Sequence, residues 1–127
     1  MQLNLERPDY AYFLRGADGS TALVNDRRIT ASFAVAPDRL VEDWDVTDAR
    51  HLTPDDLAPL LIIEPEVIVL GTGARQVFPS AAVMAACLGR GIGLEVMSNA
   101  AAARTFNVLA GESRRVVAAF VLEPSAD

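Results

Sequence analysis

The second half of the chain alternates short apolar runs with helical patterns, and this order constrains the fold more than any other feature. Residues 67–70 form a continuous apolar run that ends at a glycine, as is typical of a strand covered on both faces. Similar runs over 92–97 and 116–122 predict two more strands, and helical patterns over 79–88 and 98–111 lie between them. Strand–helix–strand–helix–strand with short connections predicts a parallel sheet with right-handed crossovers.

The first half of the chain carries hairpin patterns instead. Alternating residues over 10–15, a turn at 17–20 and a returning strand over 21–24 predict one β-hairpin. A clean alternation over 29–35 predicts one continuous strand, and a weaker alternation over 40–46 follows it. These segments predict antiparallel strands beside the parallel unit.

Length and composition suit one domain of ordinary size. The chain has 127 residues, of which 51% are hydrophobic, so that a normal core is available and global disorder is not expected. Thr53 and Pro54 predict the start of a short helix, which Pro59 limits to one or two turns. We therefore expect residues 1–127 to form a single three-layer α/β domain. Its mixed sheet would combine N-terminal antiparallel hairpins with a C-terminal parallel βαβαβ unit.

Composition excludes several functional classes. All eleven basic residues are arginine, which excludes a Schiff-base lysine and a P-loop lysine. One cysteine and one histidine cannot form an internal disulfide, a CxxC redox pair or a Cys₂His₂ zinc site. The net charge of −6 argues against binding to nucleic acid.

The chain also lacks the patterns of membrane and export segments. Its apolar runs are too short to span a bilayer, and the N-terminus has no signal-peptide pattern. We therefore expect a cytoplasmic protein that is not an integral membrane protein, with contact at the periphery of the inner membrane left open.

Two loops that follow predicted parallel strands form the candidate site. The carboxyl ends of such strands open onto one edge of the sheet, where ligands tend to bind. Glycines allow a close approach of the backbone, helix N-termini favour anions, and an arginine suits a carboxylate or a phosphate. The candidate residues of this anion-binding crevice are Gly71, Thr72, Gly73, Arg75, Ser98 and Asn99.

A purely structural interpretation of the same loops is also available. The glycines would turn the chain, Ser98 or Asn99 would cap a helix, and Arg75 would be solvated. A dinucleotide fingerprint would need a third glycine where Gln76 stands, so we expect no nicotinamide cofactor.

The remaining reactive residues form no complete catalytic set. His51 is expected in a surface loop, and Cys87 is expected on the apolar stripe of a helix together with Val83, Met84 and Leu88. An acid-rich stretch surrounds Trp44 without the spacing of a calcium loop, so we expect no metal. This stretch predicts either a solvated face or a protein-binding surface.

Four segments carry a resemblance to a known family. They are residues 66–73 (EVIVLGTG), 95–100 (EVMSNA), 103–109 (ARTFNVL) and 112–119 (ESRRVVAA). In this order they resemble a widespread domain-of-unknown-function family, whose members include the mitochondrial complex I (NADH dehydrogenase) assembly factor three and an adipogenesis-associated protein.

The resemblance implies a three-layer α/β fold and no established catalytic activity. For the mitochondrial relatives it implies a protein-binding role in the assembly of a respiratory complex at the inner membrane. It also highlights Arg104, Asn107 and Arg114, of which Asn107 is expected to hydrogen-bond a neighbouring loop such as the turn at Gly71.

Two functional hypotheses result. The first is a non-enzymatic protein-binding or assembly factor, whose partner is another protein or a subunit of a membrane complex. The second is a small protein or enzyme that binds an anionic ligand in the crevice between the two loops.

Overall fold

A computed structural model describes residues 11–124 of the chain. The strands in this range are β1 (Leu14–Ala17), β2 (Ala22–Val24), β3 (Arg27–Ile29), β4 (Phe33–Ala36), β5 (Arg39–Val41), β6 (Val67–Gly71), β7 (Gly93–Met97) and β8 (Val116–Phe120). The helices are α1 (Ala58–Leu61), α2 (Ala81–Leu88) and α3 (Asn99–Gly111), with 3₁₀ turns at Ala49–His51 and Pro54–Leu57.

A five-stranded mixed sheet organises the fold, in the order β5-β4-β8-β6-β7. Strand β6 is parallel to both β7 and β8, and β4 is antiparallel to β8 and to β5. The predicted mixed α/β fold with a parallel βαβαβ unit is thereby confirmed. All five residues of β6 are buried, which explains its continuous apolar run.

The two faces of this sheet pack against different layers. Successive residues of a strand point to opposite faces. Val67 and Val69 accordingly join the cluster under α3, whereas Ile68 and Leu70 join the cluster under α1 and α2. The two crossover helices therefore cover opposite faces of the sheet.

The first three strands form a sheet of their own, in the order β1-β2-β3, which lies on the α3 side. The single strand predicted over 29–35 is therefore wrong. Ile29 ends β3 in the small sheet, and Phe33 begins β4 in the large one. Alternation cannot reveal this break, because Ile29 and Phe33 point into the same apolar cluster. Between them, the buried Ser32 hydroxyl accepts a hydrogen bond from Leu122 N at 2.8 Å.

Two other strand boundaries differ from the prediction. Part of the strand predicted over 10–15 lies outside the described residues, and within them β1 begins at Leu14. The strand predicted over 40–46 stops with β5 at Val41, and Asp43 adopts a φ of 57°. The short helical segment predicted from Thr53 is present, where the Asp56 carboxylate accepts hydrogen bonds from the N–H and the hydroxyl of Thr53.

Asn107 attaches the small sheet to α3. Its Nδ2 donates to Leu14 O at 2.7 Å, and its Oδ1 accepts from Leu14 N at 3.0 Å. The predicted hydrogen bond between Asn107 and the turn at Gly71 is therefore wrong, because Asn107 bonds Leu14 instead. It lies eight residues beyond the start of α3, which is roughly 12 Å along a helix, and the corresponding contact with that turn belongs to Asn99.

Replacing this amide should weaken the attachment of the small sheet. We expect Asn107→Leu to lower the free energy of unfolding by about 1–3 kcal/mol, because both backbone groups of Leu14 lose their partner in a partly buried position. Urea unfolding measures this loss. Arg104→Ala, at an exposed position of the same helix, is the control and should change stability by less than about 0.5 kcal/mol. Equal effects of the two substitutions would contradict this role.

Candidate functional site

The carboxyl ends of β6 and β7 lie side by side, with Gly71 paired to Met97. From these ends the chain continues to α2 on one face of the sheet and to α3 on the other. Thr72 N donates to Met97 O at 3.0 Å, and Asn99 N donates to Gly73 O at 2.8 Å. The two predicted site loops are therefore bonded directly to each other.

Asn99 is the centre of this region and is completely buried. Its Oδ1 accepts from Gly73 N at 3.1 Å, and its Nδ2 donates to Asp18 O at 2.8 Å and to Val121 O at 3.0 Å. Both amide protons are used, as burial of a polar group requires. We call Asp18, Gly71, Gly73, Asn99 and Val121 the Asn99 junction.

The two glycines of this junction are required for different physical reasons, one steric and one conformational. A Cβ on Gly71 would clash with Asn99 Oδ1 and would lie 3.2 Å from both Ala102 Cβ and Phe120 Cδ2. Gly71 is therefore required by close packing. Gly73 adopts a φ of 111°, a backbone conformation that residues other than glycine rarely adopt.

Hydroxyl and amide side chains order the rest of the loop. Thr72 Oγ1 donates to Arg75 O at 2.6 Å, with Met97 O as an alternative acceptor at 3.2 Å, and it accepts from Val77 N at 2.9 Å. Ser98 Oγ caps α3 by accepting from Ala101 N. Each of these hydroxyl contacts holds backbone in place.

The predicted site residues thus divide into two groups. Gly71, Thr72, Gly73, Ser98 and Asn99 come together, and their polar atoms bond mainly to one another and to nearby backbone. Arg75 lies in the same loop with an exposed side chain. An anion bound by Arg75 above this loop pair stays a prediction.

The three residues highlighted by the family resemblance lie apart from these loops. Arg104 is exposed on α3, and Asn107 holds Leu14. Arg114 Nε lies 3.2 Å from Glu66 Oε1 near the amino ends of β6 and β8. The Arg115 N–H and the Arg114 guanidinium together lower the pKa of Glu66.

The other reactive residues occupy ordinary positions. His51 is exposed, with Nδ1 3.5 Å from Asp48 Oδ2. Cys87 is fully buried, and burial raises the pKa of its thiol. Trp44 is buried and its Nε1 donates to Asp56 O at 2.8 Å, so that the indole belongs to the core. Within residues 11–124, no three acidic, cysteine or histidine side chains converge as a metal site would need.

An exposed apolar surface on α2 was missed by the sequence analysis. Val83 and Cys87 face the core, whereas Met84 and Leu88, predicted on the same inward stripe, face outward. Leu88 is 79% exposed. The sequence contains a signal for this exposed apolar face. All eight residues of α2 are apolar, so whichever side of the helix faces solvent is apolar.

Two further large apolar side chains are exposed. Phe78 is 64% exposed just before the helix, and Ile62 is 77% exposed. Ile62 shares a cavity of about 350 Å³ with Arg90, two residues beyond Leu88. We call the following set the α2 surface: Ile62, Phe78, Ala81, Met84, Ala85 and Leu88.

The contact between Gly71 and Asn99 can be tested by a double-mutant cycle. We expect Gly71→Ala to cost about 2 kcal/mol of stability because of overpacking, and Asn99→Ala to cost about 3 kcal/mol because buried backbone groups lose their partners. In the Asn99→Ala background the clash with Oδ1 is absent, so the cost of Gly71→Ala should fall by about 1 kcal/mol. Chemical denaturation of the four proteins measures this coupling, and strict additivity would contradict the contact.

Comparison with known proteins identifies the family. The family model described as Protein of unknown function (DUF498/DUF598) matches residues 15–121. The chain is 33% identical over 118 residues to a Danio rerio protein named NADH dehydrogenase (ubiquinone) 1 alpha subcomplex assembly factor 3. That alignment covers 91% of this chain and 64% of the fish protein, so the chain spans less than two thirds of that relative.

Solved structures agree with this assignment. The NMR structure of a Xanthomonas campestris protein is 54% identical, with a TM-score of 0.85, and the match covers 100% of this chain and 96% of that one. The NMR structure of a Bordetella pertussis protein described as a Mth938-like domain is 27% identical with a TM-score of 0.81, covering 99% and 95% of the two chains. The chain therefore belongs to the DUF498/DUF598 family of proteins of unknown function.

Proposed function

We propose that this chain is a protein-binding assembly module that binds its partner through the α2 surface. The name of the Danio rerio relative supports an assembly role, and by transfer the partner is a subunit of a NADH dehydrogenase complex or another of its assembly factors. The observation that carries the proposal is the exposed apolar face of α2. Met84 and Leu88 stand four residues apart and are therefore neighbours on this face, and contiguous exposed apolar side chains mark interaction sites.

The composition of the α2 surface suits a protein interface. Phe78, Met84 and Leu88 provide large apolar contacts, and aromatic residues and methionine are enriched in interface cores. Ala81 and Ala85 lie on the same exposed stripe at helical spacing, where small side chains let a partner helix approach closely. We expect the occupant to be an apolar helix of the partner protein.

Positive charge in the chain segment that contains α2 favours a partner with an acidic rim. The segment 67–94 carries Arg75 and Arg90 and no acidic residue, in a chain whose net charge is −6. Asp55 lines the same cavity as Arg90 and offsets part of this charge. Opposite charge at the rim of an apolar interface mainly sets orientation and association rate.

The proposal extends to location. Within residues 11–124, no helix has both the length and the apolar character needed to cross a bilayer. We propose a cytoplasmic protein that meets a membrane complex at its periphery through the α2 surface.

Site-specific photo-crosslinking in the source organism tests this function. Amine-reactive reagents are unsuitable because the chain has no lysine, so Phe78 is replaced by p-benzoylphenylalanine. We expect an adduct that contains peptides of a NADH dehydrogenase subunit or of one of its assembly factors. Leu88→Glu should abolish this adduct, because a carboxylate would be buried in the apolar interface.

Val108 provides the matched control. It is 58% exposed on α3, on the opposite face of the sheet. The photoreactive residue at this position should yield no such adduct, and Val108→Glu should leave the Phe78 adduct unchanged. Equal adducts at both positions, or none from Phe78, would contradict the proposal.

A second candidate function is the binding of a small anion by the loop pair. The exposed Arg75 guanidinium beside the buried Asn99 junction favours it. For this function we expect phosphate to raise the melting temperature, and Arg75→Ala to remove the increase while Arg104→Ala retains it. An increase that is the same in all three proteins would rule the anion site out.

A further inference from the structure

We propose that a cavity at the amino ends of β6 and β8 binds a small aliphatic carboxylate. This arginine cavity has a volume of about 340 Å³. The lining includes the apolar residues Ile63, Pro65 and Val116 and the cationic residues Arg39, Arg114 and Arg115. An apolar cavity with a few cationic groups matches a ligand with an aliphatic tail and one anionic head.

Backbone and side-chain contacts hold two of the arginines in place. Glu66 Oε1 lies 3.2 Å from Arg114 Nε and accepts from Arg115 N at 2.9 Å. Arg115 Nε donates to Glu64 O at 3.4 Å. These contacts use the Nε atoms and leave the Nη groups of both side chains without a hydrogen-bond partner among residues 11–124. Paired Nη donors are the groups that bind a carboxylate in two-pronged geometry.

Two helix ends shape the cavity. Glu64 follows α1 with a φ of 58°, and Ser113 follows α3 with a φ of 61°. Arg114 N donates to Leu109 O at 3.1 Å, which closes the end of α3. Because these turns belong to the ends of packed helices, the cavity is formed before any ligand binds.

The charge balance favours a monoanion over a dianion. Arg39, Arg114 and Arg115 contribute three positive charges, while Asp38 in the cavity lining and Glu66 beside it contribute two negative ones. The carbonyl ends of α1 and α3 add partial negative charge. A carboxylate therefore fits this net charge better than a phosphate monoester does.

The volume of the cavity gives the size of a ligand that would fill it. At roughly 30 Å³ for each non-hydrogen atom, about the volume of one liquid water, 340 Å³ holds about ten such atoms. Octanoate has this size and a single carboxylate. The inference is independent of the proposed protein-binding function, since the α2 surface and the arginine cavity share no residue.

Titration of the ¹⁵N-labelled chain with sodium octanoate, followed by NMR, tests the inference. We expect saturable shifts concentrated at residues 36–39, 63 and 113–117. Octanamide, which has the same length and no charge, should bind at least about tenfold more weakly, because it loses the charge-assisted bonds to arginine. Equal affinity for octanoate and octanamide, or shifts that do not saturate, would overturn the proposal.

Three variants locate the binding. Arg39→Gln and Arg115→Gln should each weaken octanoate binding by about fivefold. Arg104→Gln, at an exposed position of α3, should leave it unchanged. Arg39 is the exposed first residue of β5, so its variant keeps the test valid if Arg115→Gln fails to fold. Octanoate shifts centred on the α2 surface, or unaltered affinity in both cavity variants, would refute the arginine cavity and leave the protein-binding proposal standing.

Discussion

The fold depends on one buried amide packed against one glycine. Asn99 bonds the loop after β6, the turn before β2 and the chain beyond β8, while Gly71 leaves the space that the amide occupies. In a low-dielectric interior these bonds are strong, and an unpaired member would be costly. The same few atoms thus fix how the small sheet, the central strand and α3 meet.

This junction also determines what the ligand-binding edge of the sheet can offer. In open α/β sheets the crevice beyond the carboxyl ends of the strands usually receives a ligand. Here the Asn99 side chain bonds the loop that follows β6, and the Thr72 hydroxyl bonds the backbone within that loop. Arg75 is an exposed cation of that region. The exposed apolar side chains lie on α2, and the arginine cavity lies at the amino ends of β6 and β8.

The outer face of α2 and the arginine cavity represent different kinds of recognition. The helix presents a convex apolar stripe that suits another helix, and the cavity presents a concave apolar volume ringed by cations. Leu88 is an apolar side chain that faces solvent, whereas Arg115 is a cation in the lining of a cavity that also includes Ile63 and Val116. The proposed protein-binding surface and the proposed small-molecule site therefore share no residue.

Local periodicity carried the prediction of the parallel unit. The apolar run of β6 and the capped pattern of α3 depend on neighbours along the chain, so the strand–helix order and the mixed sheet were predictable from the sequence. The prediction that Leu88 faces the core is wrong for a related reason. A helix that is apolar on every side has no polar face to orient it, and only its packing against the sheet decides which side is covered.

Sequence by itself thus determined the elements of the second half, their order, and the family to which the chain belongs. Tertiary structure alone decided the partners of Asn99 and Asn107 and the separation of β3 from β4 at Ser32. The contacts of Asn99 with Asp18, of Asn107 with Leu14 and of Ser32 with Leu122 join residues 81 to 93 positions apart. The physical reason is that amide and hydroxyl groups bond whichever backbone the folded chain brings within reach, and nothing in the neighbouring residues specifies that backbone.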